Sequence, residues 1–241
     1  FISLVFVMLV LRDFPLLIAA IAKKGTALGG MLLGRGNIHP DPVNPGRHQF
    51  LVHSLNMGIL ALAGALTAYG VFQARRRPRV VEVTLPVKGL PNGLEGLRMV
   101  QITDIHVGPT VKRDYVQAIV DEVNRLRPDA VFLTGDLVDG TVDNLRDDVA
   151  PLAEIKATYG SFFVTGNHEY YSGVNSWMEE IMRLGFTVLH NDHVVIPHGD
   201  SRVLLSGVPD FNGGQFHRDH ISDPAAAIED APKHDVSILL A

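Results

Sequence analysis

The sequence predicts an α/β fold, mixed sheets flanked by helices, preceded by transmembrane helices. Three observations carry that expectation. Two windows, residues 1–22 and 51–72, are almost wholly apolar. From Leu97 onward, β-rich apolar runs alternate with stretches of helical periodicity. Three of those runs end in short polar segments, Thr103-Asp104-Ile105-His106, Gly135-Asp136 and Gly166-Asn167-His168-Glu169. Strand ends of this kind are where open α/β sheets place their sites.

The first window holds three strongly polar side chains, Ser3, Arg12 and Asp13, and the second none that is charged apart from His53 when protonated. Each reaches the ~20 residues that a bilayer crossing needs. Gly58, Ala61, Gly64, Ala65 and Ala68 lie at near-helical spacing in the second, which suits close helix packing. Arg12 and Asp13 are costly in lipid unless they pair or face another helix. Neither window reads as a cleaved signal peptide. The turn-rich stretch 34–46 between them predicts an irregular loop. Arg75, Arg76, Arg77 and Arg79 follow the second window, and dense positive charge beside a span favours the cytoplasmic side. Lys23, Lys24, Arg35 and Arg47 on the opposite flank weaken that lean. Residues 1–77 are thus expected to be the membrane region of a multi-pass protein, and residues 78–241 a soluble domain. Phe1 in place of an initiating Met points to sequence upstream.

Within the domain, Val80-Val81-Glu82-Val83-Thr84-Leu85 alternates as an edge strand does. Strands are expected over 97–102, 130–133 and 161–164, and helices over 111–126, 145–157 and 174–184. Pro128 ends the first of these helices. Beyond Gly185, short strands at 186–190, 193–197 and 202–208 predict an antiparallel or mixed addition to the sheet. Asp223-Pro224 predicts a short helix through Ile228, and Val236 to Leu240 a buried strand.

Composition narrows the chemistry. The chain of 241 residues has no Cys, so disulfide frameworks and thiolate metal sites are excluded. A formal net charge of −5 gives no basic nucleic-acid surface. Hard oxygen donors mixed with imidazole suit a pair of divalent first-row metals. Asp104 and His106, two apart on a loop leaving a strand, can address one metal. Asp136 is a natural bridge, and Asn167 offers a carbonyl oxygen to a second metal. His168 then stands beside the metals without having to bind them. Two such metals suit phosphoryl displacement, with the imidazole protonating the leaving oxygen. Asp139, Asp143, Asp147 and Asp148 read as turn and helix-start acids. His190, His193, His198 and His234 read as surface or capping residues.

The strings D-x-H, G-D and G-N-H-[DE] resemble those of the calcineurin-like metallophosphoesterase superfamily. Their surroundings, Ile102 to Thr110, Leu133 to Gly140 and Val164 to Tyr171, resemble its membrane-anchored bacterial branch, which implies a bacterial plasma membrane. The resemblance implies that fold's sandwich of mixed sheets, two divalent metal ions (manganese, iron or zinc) and a phosphoester substrate. It places Asp104 and His106 on metal one, Asp136 as the bridge and Asn167 on metal two. His168 becomes the histidine that assists the leaving group, with Glu169 orienting it. It further implies three more histidine ligands, in a His-x-Pro and a later Gly-His-x-His segment, both beyond Ala241. Gly213-Gly214-Gln215 with His217 and His220 is expected to form part of the wall above the site. The competing expectation is a catalytically silent membrane sensor or scaffold on the same fold, which the intact acid, base and ligand positions disfavour.

Overall fold

The computed structural model describes residues 2–32, 45–74 and 78–241. Two compact units divide the chain, residues 1–74 and 75–241. In the first, two long helices, α1 (Ile2–Leu32) and α2 (Pro45–Ala74), pack against each other. Phe6, Leu11, Phe14, Phe50, Leu51 and Phe72 are all exposed, so these helices bury little of their apolar surface in protein. A soluble core helix would hide such residues. Among the described residues one helix, Pro45–Gln73, is long and apolar enough to cross a membrane. The costly pair on α1 is met locally. The Arg12 guanidinium donates to both carboxylate oxygens of Asp13, at 2.6 and 2.8 Å, and to the amide oxygen of Asn56 on α2. Residues 34–44 of the expected loop and the arginines at 75–77 lie outside the described residues, while Pro45 and Gly46, also expected in the loop, open α2.

The second unit is built on a parallel sheet of four strands in sequential order: β1 (Met99–Ile102), β2 (Ala130–Thr134), β3 (Ser161–Val164) and β4 (Phe186–Val188). Parallel neighbours need crossovers, which helices supply. They are α3 (Arg113–Leu126), then α4 (Val142–Val149) with a 3₁₀ turn over Ala150–Glu154, then α5 (Asn167–Ser172) with α6 (Val174–Arg183). The expected helix at 145–157 therefore ends early. Pro151 sits in the first turn of the 3₁₀ segment, and its missing N–H cannot continue the α-helical ladder.

Strand alternation divides the core. Ile102, Val131, Leu133 and Phe163 face one cluster with Val116, Val120, Leu145, Trp177 and Ile181 from the helices. Ala130, Phe132, Phe162 and Val164 face a second cluster with Leu189, Ile196, Val203, Leu205 and Leu240. That cluster joins the sheet to a three-stranded one, β5 (Asp192–His198), β6 (Ser201–Gly207) and β7 (Val236–Leu240). β5 and β6 pair antiparallel and β6 and β7 parallel, so the mixed addition forms a separate sheet. The run at 186–190 differs from expectation: β4 joins the first sheet parallel to β3, because α5 and α6 carry the chain back to the starting edge. Gly207 lies where the layers meet. A Cβ there would stand 2.6 Å from Cγ1 of Val164 and collide with Cβ of Leu189, so the close approach needs glycine.

Two further expectations are corrected. Residues 80–85 form no strand, and Val81, Val83 and Leu85 are 80%, 68% and 76% exposed. Alternation supplies a face, but among the described residues no sheet edge pairs with it. The helix expected from Asp223 shrinks to a 3₁₀ turn, Ala226–Ile228. The Asp223 carboxylate caps the N–H groups of Ala225 and Ala226, at 3.0 Å each. A short helix, α7 (Gly213–Phe216), precedes it.

Candidate metal centre

The three motifs meet at the carboxyl ends of β1, β2 and β3. The loop after β1 runs on beside the loop after β2 as an irregular extension of the sheet. Asp104 N–H donates to Gly135 O (3.3 Å), His106 N–H to Asp136 O (3.0 Å) and Val107 N–H to Leu137 O (2.7 Å). Asp139 N–H then donates to Val107 O at 2.8 Å. These bonds set Asp104, His106, Asp136 and Asp139 side by side. The geometry is strained: Asp104, His106 and Asp136 have φ of 54°, 52° and 51°. Left-handed backbone at non-glycine residues costs on the order of 1–3 kcal/mol each and clusters at functional sites. Gly135, at φ 71°, lies so close to Gly166 that any side chain would strike that residue's backbone.

The third loop is pinned to the second by two carboxylates. Asp136 Oδ1 accepts the N–H of His168 at 3.0 Å. Glu169 is buried and accepts three backbone N–H groups, from Asp136 (3.0 Å), Leu137 (2.8 Å) and Gly166 (2.7 Å). Burial pushes the Glu169 carboxyl up, and the three donors pull it back without cancelling that rise. Glu169 is thus turned toward backbone, and the carboxylate that meets His168 is a different one. Asp139 Oδ1 lies 2.5 Å from Nδ1 of His168 and 3.1 Å from Nδ1 of His106. The expected orienting role of Glu169 is not seen as a contact, because its place in the first turn of α5 directs it back at the N-cap and across to the loop after β2.

His106, Asp136 and His168 each offer a ligand atom, all within 4.8 Å of one another. The imidazoles of His106 and His168 sit edge to face, 4.4 Å between centroids. Asp104 stands at the margin. Its Oδ1 is 3.9 Å from Nε2 of His106, and its Oδ2 accepts the Thr103 hydroxyl at 2.6 Å. One terminal atom of the Asn167 amide is 3.1 Å from both carboxylate oxygens of Asp136. As NH₂ that atom donates to both; as carbonyl oxygen it converges with them into a set of oxygens that a cation would stabilise. Imidazole, carboxylate and amide oxygen together form a donor set for hard or borderline divalent metals, so the residues present fit such ions.

Charges around the centre are coupled. Burial lowers the His106 imidazole, but its bond to Asp139 and the nearby carboxylates of Asp139, Asp136 and Asp104 outweigh burial and hold it above its usual value. Burial raises the Asp139 carboxyl, yet the bonds to His106 and His168 win and hold it below the usual carboxylate range. A cavity of about 480 Å³ opens on this centre, lined by Asp104, Asp136, Asn167, Asp210 and Phe211 among others. A second, of about 470 Å³, lies between α4 and α6, away from the three motifs. Its arginines, Arg146 and Arg183, are paired with the buried Glu180.

Sequence reasoning missed Asp139. A turn acid carries no signal alone, but its position three residues after Asp136 placed it on the strand-end loop. Among the histidines given surface roles, His190 is packed against His220, 4.3 Å between ring centroids, and His220 is buried with Nδ1 3.0 Å from the Tyr170 hydroxyl. His217 and His220 lie in the turn that follows α7, 5.1 Å between ring centroids.

A family model described as calcineurin-like phosphoesterase matches residues 97–240. A transmembrane protein with metallophosphoesterase domain from Danio rerio is 37% identical over 219 residues, covering 88% of this chain and 48% of that protein. Its Bos taurus counterpart is 38% identical over 184 residues, with coverages of 73% and 41%. An uncharacterized metallophosphoesterase of Helicobacter pylori strain J99 is 32% identical over 198 residues, with coverages of 82% and 51%. The chain spans about half the length of these curated relatives. The match covers every strand of both sheets and all three motif loops, and on that extent the chain belongs to the calcineurin-like phosphoesterase family.

Proposed function

We propose that the complete protein is a membrane-anchored hydrolase of phosphoester bonds that works with two divalent metal ions. The observation that carries this reading is the convergence of His106, Asp136 and His168 within 4.8 Å at the end of a parallel sheet. Asp104 and His106 would hold one ion, Asp136 would bridge, and Asn167 would hold the second. Bound there, two such ions would supply Lewis-acid stabilisation of the oxygens around phosphorus in a phosphoryl displacement. The chain's own residues do the rest. Asp139 holds His168 through Nδ1, which leaves Nε2 to carry a proton to the leaving oxygen. Asp139 is therefore a positioning residue. Glu169 keeps the loops after β2 and β3 at a fixed spacing, and so sets the distance between Asp136 and His168. Metal content tests the reading. Full-length protein is expected to hold two divalent ions per chain, and Asp136→Ala fewer than one. Trace metal in the unaltered protein would contradict it.

Anchoring rests on the helix Pro45–Gln73 and on the names of the vertebrate relatives. The multi-pass reading adds α1, whose Arg12 is paired with Asp13 and Asn56. The arginines of the sequence at 75–77 and 79 favour the cytoplasmic side for the hydrolase domain, against a weaker set of Lys23, Lys24, Arg35 and Arg47 on the other flank. In intact cells or spheroplasts, a protease added outside is expected to leave residues 78–241 uncut. Cleavage within them would reverse the orientation.

A further inference from the structure

The side of the centre that His168 serves is walled by aromatic rings. Tyr171 meets His168 edge to face, 5.6 Å between centroids, and Phe216 meets Tyr171 in the same manner at 5.6 Å. Both are open to solvent, Tyr171 65% and Phe216 46% exposed. Two exposed aromatic rings, one in edge contact with His168 and the other with the first, offer π faces and edges to a ligand beside that imidazole. The wall is held from behind. Tyr170 lies tilted against Phe216 at 5.4 Å, and its hydroxyl is bonded to Nδ1 of His220 (3.0 Å) and lies 3.5 Å from the Thr165 hydroxyl. Burial, with Asp210 and Asp219 nearby, raises the Tyr170 phenol, so it stays a neutral hydrogen-bonding group. α7 and α5 thus present a fixed aromatic surface beside the imidazole.

We propose that this surface is a subsite for a planar ring on the leaving group of the phosphoester, the ring of a nucleoside or an aryl alcohol. The proposal rests on His168 being the group that protonates the leaving oxygen. If it is, the departing half of the substrate lies on the His168 side, within reach of Tyr171 and Phe216. Aromatic side chains favour ring partners through offset or edge contacts. A base stacked on one exposed ring gains enough to shift affinity by about tenfold. An alkyl chain would be better served by a groove of Leu, Ile and Met, which this wall is not.

The test uses full-length protein hydrolysing whichever generic aryl phosphoester it accepts, with adenosine 5′-monophosphate, ribose 5-phosphate and decyl phosphate as competing inhibitors. The first two share the phosphate and the sugar and differ in the base alone. The nucleotide is expected to inhibit about tenfold more tightly than ribose 5-phosphate. Tyr171→Ala is expected to remove most of that ratio, Tyr171→Ala with Phe216→Ala all of it, and Tyr171→Phe to keep it. Equal inhibition constants, or a ratio that survives the double substitution, would overturn the subsite. Decyl phosphate as the tightest of the three, with its advantage lost in the double variant, would replace the planar ring with an apolar chain. Should no aryl ester be hydrolysed with any divalent metal, the phosphoesterase reading fails. Calorimetric binding of the same nucleotide and sugar phosphate then decides the ring subsite separately, with the same ratio and the same variants.

Discussion

Full-length protein carrying His168→Ala is expected to hydrolyse an aryl phosphoester about 10²- to 10⁴-fold more slowly, the usual contribution of a positioned general acid. Its metal content is expected to stay near that of the unaltered protein, because Asp104, His106, Asp136 and Asn167 remain. Asp139→Asn is expected to cost less, about 10- to 100-fold, since it removes the partner that orients His168 and leaves the imidazole in place. Steady-state kinetics with metal analysis on the same preparations checks both. A His168→Ala enzyme with an unchanged rate would remove His168 from the chemistry, and one stripped of metal would make it a ligand instead.

Glu169→Ala is expected to be the most destabilising single change at the site, by about 3–5 kcal/mol. Glu169 is 1% exposed, and its carboxylate satisfies the backbone N–H groups of Asp136, Leu137 and Gly166. Truncation leaves those donors buried beside a void. Glu169→Gln is expected to fall between, because one amide oxygen accepts where two carboxylate oxygens did, and its NH₂ faces donors. Thermal unfolding of the full-length protein in detergent measures the series. A Glu169→Ala protein as stable as the unaltered one would show that the loops after β2 and β3 do not depend on this residue.

The motif loops are legible because each follows a short apolar strand and the three agree in order, whereas Gly135-Asp136 alone reads as an ordinary turn. Asp104, Asp136 and Asn167 all line one cavity, as their place after β1, β2 and β3 requires. Asp139 was not legible, since its role depends on lateral pairing of the two loops through Val107 and Val138, which no local pattern encodes. The same limit explains Glu169. Its identity marks the first turn of α5, but the direction of its carboxylate follows from the backbone it must satisfy. Among the elements, β2 and β3 were clear because they are buried on both faces and read as continuous apolar runs. Residues 80–85 misled because alternation reports a potential strand face and says nothing about a neighbour. Tyr171 and Phe216 were invisible as a pair, being 45 positions apart and joined only when α7 packs on α5.

Hydrolysis by a two-metal centre is open to a single titration. Full-length protein is stripped of metal and then given Mn²⁺ while turnover of bis(p-nitrophenyl) phosphate and p-nitrophenyl phosphate is followed. A two-metal centre predicts no turnover in the stripped protein and a rise that levels off at two equivalents of metal per chain, abolished by Asp136→Ala. Turnover of the stripped protein that metal does not change, or no turnover at any metal concentration with Mn²⁺, Fe²⁺ or Zn²⁺, would contradict it.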